Sequence, residues 1–342
     1  MIPAEIETAV PVLDESGVPV NFGWARLPLF LYNPMLIRAS RRRVSESDRY
    51  IFFSSTHLLL IEILDSGYWG HIGTSVISLR DKKRSTQTFI TPFPLGSFEL
   101  PTDSAAGSLK IQRKKAAFTF AAMEGGARII KVNVPKFGSH RSLRGEVVLS
   151  APPDAESLVT LTPWRREKNA FRYSRCSPWY IAEGVMQFGT QELFFTRGNA
   201  WGIFDWNRGV RPRSDIRYWA AGCGLSGGRQ VGFSVGYSTA DSGQGTENAF
   251  FLEGKLHKLD QVTFQISPAN WLSPWHFTSN DNRLEMVFTP NQERVEQNSF
   301  IFHSLKCRQL CGLFSGRVVL DDLSVLEFQN ITGFAEWRKT QF

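Results

Sequence analysis

Residues 116–134 read AAFTFAAMEGGARIIKVNV, and this stretch carries the pattern that decides the fold class. Phe118 and Phe120 are two positions apart and therefore lie on one face of an extended strand. The same spacing holds for Ile130 and Val132 further along the stretch. The Glu-Gly-Gly sequence between the two runs is typical of a turn. The stretch therefore predicts a hairpin of two half-buried strands.

The same alternation recurs through the second half of the chain. It predicts strands, separated mostly by Gly, Pro, Asn or Asp, at Trp201–Trp206, Ile216–Ala221, Arg229–Tyr237, Glu247–Leu252, Lys255–Ile266, Arg283–Thr289 and Phe300–Leu305. No window of roughly 12 residues shows a convincing helical period, and the best helix candidate is the short tail Gly333–Lys339. These features predict an all-β protein, built as an antiparallel sandwich or barrel.

The predicted strands are too numerous for one small barrel, so we expect two antiparallel barrel or sandwich domains packed side by side. The length of 342 residues agrees with this, because an ordinary domain contains about 150 residues. A proline-containing segment that begins near residue 151 suggests the boundary. We expect an N-terminal β domain of residues 1–175 and a C-terminal β domain of residues 176–342.

Composition excludes two classes of protein. Hydrophobic residues make up 42% of the chain and charged residues only 21%, which is too little charge for a disordered protein. The most apolar run, Leu58–Leu64, is short and contains Glu62, so no segment approaches the roughly 18 apolar residues of a membrane-spanning helix. The aromatic share of 13% favours sheets and apolar cavities.

The charge balance is modestly basic. Lys and Arg number 39 and Asp and Glu number 32, for a net charge of +7. Basic triplets such as Arg41–Arg43 lie where turns are expected, which is typical of a solvated surface. The alternative is weak contact with an anionic membrane. No zinc finger, helix-turn-helix or RNA-binding strand accompanies the triplets, so we expect no nucleic-acid partner.

Four cysteines are too few for a disulfide scaffold in a chain of this length. The chain opens with Glu5 and Glu7 rather than with the positive and apolar segments of a secretory signal, so we expect a cytoplasmic protein. His303, Cys307 and Cys311 recur at four-residue steps, but a zinc site would need a fourth ligand from elsewhere. Buried structural cysteines are the simpler interpretation, and we expect no metal.

Two glycine motifs suggest chemistry that their surroundings do not support. Gly222–Gly227 fits G-x-G-x-x-G, but an alternating strand follows it instead of the helix that holds a dinucleotide pyrophosphate. Gly232–Gly236 fits G-x-S-x-G, but its Ser234 lies inside a predicted strand rather than on a sharp turn before a helix. We therefore expect neither a nucleotide cofactor nor a serine nucleophile.

The segment from Asn199 to Leu259 is the richest in unusual residues. Strand alternation places Trp201 and Asp205 on one face, with Trp206 and Arg208 on the other. Asp205 therefore points the same way as bulky apolar neighbours. A carboxylate in that position must be paired or hydrogen-bonded, or its pKa rises.

A hairpin is expected around the Glu-Gly turn at 253–254. A two-residue loop pairs Phe250 with His257 and places Asn248 on the same face, while Glu247 points the other way. A polar pair on an aromatic face is either the floor of a cavity, where His257 acts as acid or base, or a buried polar network that fixes the register of the sheet. Both alternatives remain open at this point.

Three stretches resemble the family of domain of unknown function 2804: Gly198–Arg213, Arg217–Ala221 and Gly245–Leu259. The weaker N-terminal stretch Ser66–Gly70 resembles it too, and the resemblance covers nearly the whole chain. The aspartate, arginine, glutamate, asparagine and histidine of that family correspond to Asp205, Arg208, Glu247, Asn248 and His257. One departure is Arg175-Cys176, where the family leads us to expect a lysine.

The resemblance implies a calycin-like protein with two lipocalin-like sheet domains, related to carotenoid hydratases and attachment-related lipocalin-like proteins. It also implies an apolar pocket for a small molecule. It does not supply a reaction, because fold and function separate easily.

The resulting functional hypothesis is binding of a hydrophobic small molecule, such as a lipid or terpenoid, in a barrel cavity. The expected ligand-binding residues are Trp201, Trp206, Arg208, Tyr218, Trp219, Asn248 and Phe250, and the candidate acids or bases are Asp205, Glu247 and His257. A pocket with one polar group would favour a carrier, and convergent acid and base groups would favour an isomerase or hydratase. The alternative is a non-enzymatic module that contacts a protein or membrane surface.

Overall fold

We describe a computed structural model of the chain, which covers residues 4–138, 141–165, 167, 169–239, 247–300 and 303–341. It is all-β, as predicted. Three short 3-10 turns, Pro34–Leu36, Arg41–Arg43 and Glu124–Gly126, interrupt the strands. In this part of the chain no helix is long and apolar enough to cross a bilayer. Residues 245 and 246 of the family-like stretch, and the side chain of His303, lie outside the description.

The strands come in chain order. Those up to residue 122 are β1 (Val10–Pro11), β2 (Gly23–Ala25), β3 (Phe30–Leu31), β4 (Val44–Ser54), β5 (His57–Asp65), β6 (Trp69–Ser78), β7 (Arg84–Pro92), β8 (Ser108–Arg113) and β9 (Ala116–Ala122). Those up to residue 210 are β10 (Arg128–Phe137), β11 (Arg141–Ser150), β12 (Leu158–Pro163), β13 (Phe171–Phe188), β14 (Gln191–Phe195) and β15 (Ala200–Val210). The remainder are β16 (Ser214–Ser226), β17 (Arg229–Ser238), β18 (Ala249–Leu252), β19 (Lys255–Lys258), β20 (Val262–Gln265), β21 (Trp275–Ser279), β22 (Leu284–Phe300), β23 (His303–Val319) and β24 (Val325–Gln341).

Two large antiparallel sheets contain nearly all of these strands. The first has 13 strands, with a main path in the order β7-β6-β5-β4-β15-β13-β11-β10-β9-β8. The second has nine strands, in the order β19-β18-β17-β16-β24-β23-β22-β21-β20. Most neighbours in each sheet are also neighbours in sequence, which is the meander expected from short turns between alternating strands.

The hairpin predicted for residues 116–134 is confirmed. Strand β9 pairs with β10, and Phe120 lies opposite Ile130 across the ladder. The tail Gly333–Lys339, in contrast, is not helical, and the prediction of a helix there was wrong. These residues lie inside β24, which pairs with both β16 and β23. Two flanking strands supply tertiary hydrogen bonds that override the weak local preference of a short segment.

Each sheet encloses its own apolar core, and a third core joins the sheets. The first core contains side chains from one face of β4 and β15, such as Phe52 and Phe204. The second contains Phe233 and Phe314. The third packs the opposite face of the first sheet, including Ile203, against residues of the second sheet. The two sheets therefore meet through faces that point away from their own cores.

The division of the chain into two domains stays a prediction, but the sheets bear on its position. Residue 175 falls inside β13, which belongs wholly to the first sheet. The change from one sheet to the other occurs between Val210 and Ser214. A boundary between two domains, each built on one sheet, would therefore fall near residue 212 and not at residue 175.

The two glycine motifs lie in strands and turns. Gly222–Ser226 is the end of β16, and Gly227 and Gly228 form the turn to β17 with φ of 58° and 78°, a conformation that favours glycine. Ser234 lies in the middle of β17, where its hydroxyl accepts a hydrogen bond from Trp219 Nε1 at 3.0 Å. Within the described residues, strand β17 follows the first motif and contains the second, and no helix follows either.

Candidate functional site

A cavity of about 660 Å³ lies between the two sheets. Strands β4–β7, β13 and β15 form its wall on the first sheet, and β16 and β22–β24 form its wall on the second. From the sequence we expect Trp201, Trp206, Tyr218 and Trp219 to line or flank a cavity in or beside the C-terminal domain. None of these four lines the cavity between the sheets, which both halves of the chain build jointly.

Four strands change from apolar to ionisable side chains where they reach the cavity. Residues two positions apart on a strand share a face, so each change occurs on the surface that faces the other sheet. Both members of each pair are buried. The exception is Glu62, whose side chain is 12% exposed. The pairs, apolar residue first, are Ile203 and Asp205, Ile51 and Arg49, Leu60 and Glu62, and Phe334 and Glu336.

Backbone pairing places three ionisable residues in one row across the first sheet. Asp205 on β15 lies opposite Arg49 on β4, and Arg49 lies opposite Glu62 on β5. In the second sheet, Arg217 on β16 lies opposite Arg338 on β24. Neighbouring strands are about 4.8 Å apart, so the backbones of Asp205 and Glu62 are separated by roughly 10 Å. Arg49 lies between the two carboxylates in this row, and its guanidinium binds Glu62.

Glu62 is the centre of the charge network on the first wall. Its Oε1 lies 2.7 Å from Arg49 Nη2 and 3.4 Å from Arg338 Nη2, and its Oε2 lies 3.0 Å from His71 Nε2. Burial alone would raise the pKa of Glu62, but the charges of Arg49 and Arg338 hold this pKa well below its ordinary value. Glu62 is therefore ionised, and His71 Nε2 donates the hydrogen bond between them.

Glu336 is a second buried carboxylate, and it binds the same two arginines. Its Oε1 lies 3.1 Å from Arg338 Nε, and its Oε2 lies 3.5 Å from Arg49 Nη1. Gln309 Nε2 donates a hydrogen bond to Oε2 at 2.7 Å. Burial raises the pKa of Glu336, but Arg338 and Arg49 outweigh burial and lower this pKa to about 2. Ionised groups thus join the two sheets at this end of their interface.

Glu247, one of the candidate acids or bases, is an ion-paired residue beside the cavity. Its Oε2 lies 2.9 Å from Arg217 Nη2, and its Oε1 pairs with Arg172 Nη2. The hydroxyl of Ser174 also donates to Oε1, at 3.2 Å. Arg172 and Arg217 line the cavity, whereas Glu247 does not. Glu247 therefore positions two cavity arginines.

Asp205 differs from every carboxylate described above. It lines the cavity and is only 3% exposed. Among the residues that the structure describes, its side chain has no hydrogen bond and no ion pair, so the pairing expected for a buried carboxylate is not found. Its charge is still felt nearby: burial and Asp205 together raise the pKa of Cys176 to about 12, and Asp205 partly offsets the effect of burial that lowers the pKa of Arg217.

Arg208 does not face Asp205. Its Nη1 lies 2.8 Å from Asp48 Oδ1, and its Nη2 donates to the carbonyl oxygen of Pro101 at 2.7 Å. The guanidinium also lies 4.2 Å from the ring centre of Trp206, in the core of the first sheet. Arg208 borders the cavity, but its charge is bound within the first sheet. Strand alternation had placed Trp206 and Arg208 on this face.

The remaining aromatic candidates belong to cores. Trp201 and Trp219 lie in the core between the sheets. Trp219 borders the charge network, because its ring centre lies 5.3 Å from the guanidinium carbon of Arg49 and 5.2 Å from that of Arg217. Tyr218 stacks on Tyr237 beside the core of the second sheet, and Phe250 is buried in that core.

The predicted hairpin register is correct, since Phe250 lies opposite His257. Asn248 is fully bonded: its Oδ1 accepts from the backbone N–H of Gly236 at 2.7 Å, and its Nδ2 donates to the carbonyl oxygen of Asp260 at 2.7 Å. This bonding favours the structural alternative for Asn248, a polar network that fixes the sheet.

His257 lies away from the cavity lining. Its Nδ1 is 3.3 Å from Asp321 Oδ2, and Asp321 also pairs with Arg283 at 2.6 Å. Burial lowers the pKa of His257, and Asp321 acts against this. The structure does not bring His257 together with Asp205 or Glu247.

Sequence reasoning missed most of the cavity's ionisable residues. Arg49, Glu62 and His71 come from β4–β6, and Arg338 comes from the last strand, so no local motif joins them. One signal was present. Glu62 interrupts the apolar run Leu58–Leu64, and a charge at an inward position of a buried strand demands partners.

The cavity lining combines charge with apolar surface. Seven arginines and four carboxylates line it, and Asp48, Glu247 and Glu336 behind the lining pair with five of these arginines. Apolar side chains complete the walls: Leu60, Leu64, Trp69, Ile90, Trp164 and Phe171. A cavity of this composition suits a molecule with an apolar body and electron-rich oxygen groups.

Comparison with known proteins gives a family and a fold. A family model described as "Domain of unknown function (DUF2804)" matches residues 3–342. No curated protein sequence matches the chain. Among solved structures, CghA with Sch210972 is similar over 100% of this chain and 98% of its own, with 8% identity and a TM-score of 0.55. This likeness shows that the two proteins share a fold of two lipocalin-like antiparallel sheets.

Two further structures are similar at lower scores. Kievitone hydratase from Nectria haematococca is 8% identical, with coverage of 87% of this chain and 88% of its own and a TM-score of 0.47. An AttH-like protein from Nitrosomonas europaea (NE1406) is 10% identical, with coverage of 91% and 96% and a TM-score of 0.49. Neither score is high enough to support an inference about this chain.

Proposed function

This chain belongs to the family of domain of unknown function DUF2804, and we propose that it is an acid–base enzyme acting on an amphipathic small molecule in the cavity between its sheets. The reaction class is isomerisation, in which a proton is removed from one atom of the substrate and delivered to another, or hydration, in which water loses a proton to the base while its oxygen bonds to one carbon of a double bond and an acid protonates the other carbon. The observation that carries the proposal is Asp205, a buried carboxylate that faces the cavity without a hydrogen-bond or ion-pair partner among the described residues.

Asp205 is the proposed general base. A carboxylate bound by arginines, such as Glu62 or Glu336, is a poor proton acceptor because its ionised form is already stabilised. Asp205 has no such bonds in the described structure and therefore keeps its oxygens available to a substrate. A positioned carboxylate that takes a proton contributes about 10²–10⁴-fold to a rate.

His71 and Glu62 are the proposed second acid–base pair. His71 lines the cavity, and Glu62 fixes its ring by accepting from Nε2 at 3.0 Å. In the neutral ring the other nitrogen, Nδ1, is then the atom that can accept or return a proton. Asp205 and Glu62 lie on either side of Arg49, so a substrate that lies over Arg49 in the cavity meets a base on one side and this pair on the other.

The arginines are the proposed binding groups for oxygen atoms of the substrate. Removing a proton next to a carbonyl places negative charge on the carbonyl oxygen, and guanidinium groups in a buried site stabilise such charge. Arg217 and Arg338 come from the second sheet, opposite Asp205. CghA, which shares the fold, has been crystallised with Sch210972, and this supports ligand binding by this kind of scaffold.

The test begins with the identity of the ligand. Native mass spectrometry of protein isolated from its own cells should show a retained molecule with an apolar body and at least one acidic or carbonyl oxygen. Turnover of that molecule by the Asp205→Asn protein should fall by about 10²–10⁴-fold, because an amide cannot accept the proton.

The matched control is Asp215→Asn, a change in another carboxylate at the cavity wall. Asp215 already accepts a hydrogen bond from Ser238 Oγ at 2.5 Å, so this variant should keep most of the activity. Equal loss in both variants, or full activity in Asp205→Asn, would exclude Asp205 as the base.

A further inference from the structure

The opening of the cavity continues into exposed apolar side chains. Ile90 on β7 lines the cavity and is 52% exposed. The chain beyond β7 carries Phe93 and Leu95, which are 50% and 43% exposed. Trp69, on the neighbouring strand, lies opposite Pro92 and also lines the cavity. Large apolar side chains therefore border the opening and extend outward from it.

The backbone holds two of these side chains in an unfavourable conformation. Phe93 and Leu95 have φ of 48° and 50°, a region that bulky residues rarely adopt. Such strain is maintained only where neighbours enforce it, and it is common at functional sites. Here the N–H of Phe93 donates to the carbonyl oxygen of Tyr68 at 3.0 Å, and Arg41 Nε donates to that of Leu95 at 3.0 Å.

Basic side chains lie in the same place. Arg41 and Arg42 are exposed, and Arg42 lies 5.7 Å from the ring centre of Tyr68. Gly67 packs closely on the backbone of residues 41 and 42, so the segments 41–43, 66–69 and 92–96 form one surface, which we call the mouth loops. Apolar side chains beside arginines are the combination that binds the interface of an anionic bilayer.

We propose that the mouth loops dock on an anionic lipid surface, so that an amphipathic ligand passes between the bilayer and the cavity. The docking stands on the mouth loops alone, and only the passage of the ligand rests on the proposed function. Phe93 and Leu95 enter the headgroup region, and Arg42 meets lipid phosphates and carboxylates, whereas Arg41 pairs with Glu46 and holds the carbonyl of Leu95. A contact through so few side chains is weak and reversible.

The test is co-sedimentation with vesicles of phosphatidylcholine alone or with 30% phosphatidylserine added. The whole chain should sediment with the mixed vesicles and not with pure phosphatidylcholine, and 0.5 M salt should release it. Arg42→Glu should weaken binding by about tenfold or more, since each basic side chain near such a surface contributes about 1 kcal/mol. A double Phe93→Asn, Leu95→Asn variant should also weaken it by about tenfold or more.

Leu323 offers a matched control for the apolar variant. It is 80% exposed, has φ of 68°, and is not a lining residue of the cavity. Leu323→Asn should bind vesicles like the unaltered protein, and so should Asp205→Asn, which tests the proposed reaction separately. Failure of the unaltered chain to bind mixed vesicles, or equal loss in Leu323→Asn, would overturn the docking proposal whatever becomes of the enzyme.

Discussion

The two ends of the interface between the sheets are built from the same strands and differ in chemistry. At one end Trp201, Ile203 and Phe334 pack in an apolar core. Two residues further along, the same faces present Asp205 and Glu336. The same strands bury apolar side chains at one position and ionisable side chains two residues further on. The shape of the strands therefore does not explain the change from apolar to ionisable residues.

Buried ions are a costly way to join the two sheets. Removing ions from water costs several kcal/mol per ion, and apolar side chains in place of a buried ion network are often as stable or more so. The apolar end shows that the interface can be closed without ions. The charged end surrounds a cavity and includes one carboxylate without a partner among the described residues, which is what an acid–base site requires.

The largest effect is expected from Arg49→Met. Arg49 binds both Glu62 and Glu336, so its loss leaves two buried carboxylates with too little positive charge. The free energy of unfolding, measured with urea, should fall by about 3–5 kcal/mol. Arg197→Met removes an exposed pair with Glu183 and should cost less than about 1 kcal/mol. If both variants lose a similar free energy of unfolding, the ion pairs of the charged end contribute no more to stability than an exposed pair does.

The second-largest effect is expected from acid, which should lower the stability of the charged end. The pKa of Glu336 is lowered from 4.5 to about 2, so its ionisation stabilises the fold above pH 4.5 and this stabilisation is lost as the pH falls towards 2. The contribution is on the order of 3 kcal/mol. Urea unfolding of Glu336→Gln should therefore depend less on pH between 4.5 and 2 than that of the unaltered protein. If the free energy of unfolding depends on pH equally in both proteins, then Arg49 and Arg338 do not keep Glu336 ionised.

The apolar end should respond in a smaller and purely structural way. Ile203→Val removes one buried methylene group and should lower the free energy of unfolding by about 0.5–1.5 kcal/mol. Ligand binding, followed by native mass spectrometry, should not change, because Ile203 packs in the core and not in the cavity lining. A large loss of ligand binding by Ile203→Val would show that the ligand site includes the apolar end.

The smallest change in stability is expected at Asp205. Asp205→Asn should shift the free energy of unfolding by less than about 1 kcal/mol, because no described bond is broken. Asp48 is 4% exposed, compared with 3% for Asp205, but it pairs with Arg208 at 2.8 Å. Asp48→Asn should therefore cost about 3–5 kcal/mol. A loss of that size at Asp205 would reveal a partner for it and would weaken its assignment as the base.

Much of the fold could be predicted from local pattern. The alternation in residues 116–134 and the register of Phe250 with His257 both follow from a side-chain period of two and a short turn. The same period placed Trp201 and Asp205 on one face and Trp206 on the other. Where local preference was weak, as at Gly333–Lys339, pairing with two other strands decided the outcome.

The candidate site was predictable only in part. Asp205 could be identified as an unusual residue, because a charge among bulky apolar neighbours is visible in the sequence. Its surroundings could not, since Arg49, Glu62, His71 and Arg338 lie on strands far apart in the chain. Nor could the sequence show that Glu247 and Arg208 are bound by other residues and that His257 lies elsewhere.

The sequence is enough to predict most of the strands, their inward faces and the unusual position of Asp205, because these depend on neighbours two residues apart. Which buried charges meet, and which one is left for a ligand, depends on the tertiary structure. Charges in a sheet interact across strands and between sheets over a few ångströms, and those distances depend on strand order and sheet packing. Glu62 and Asp205 look alike in the sequence, and the difference between them is that Arg49, His71 and Arg338 reach Glu62.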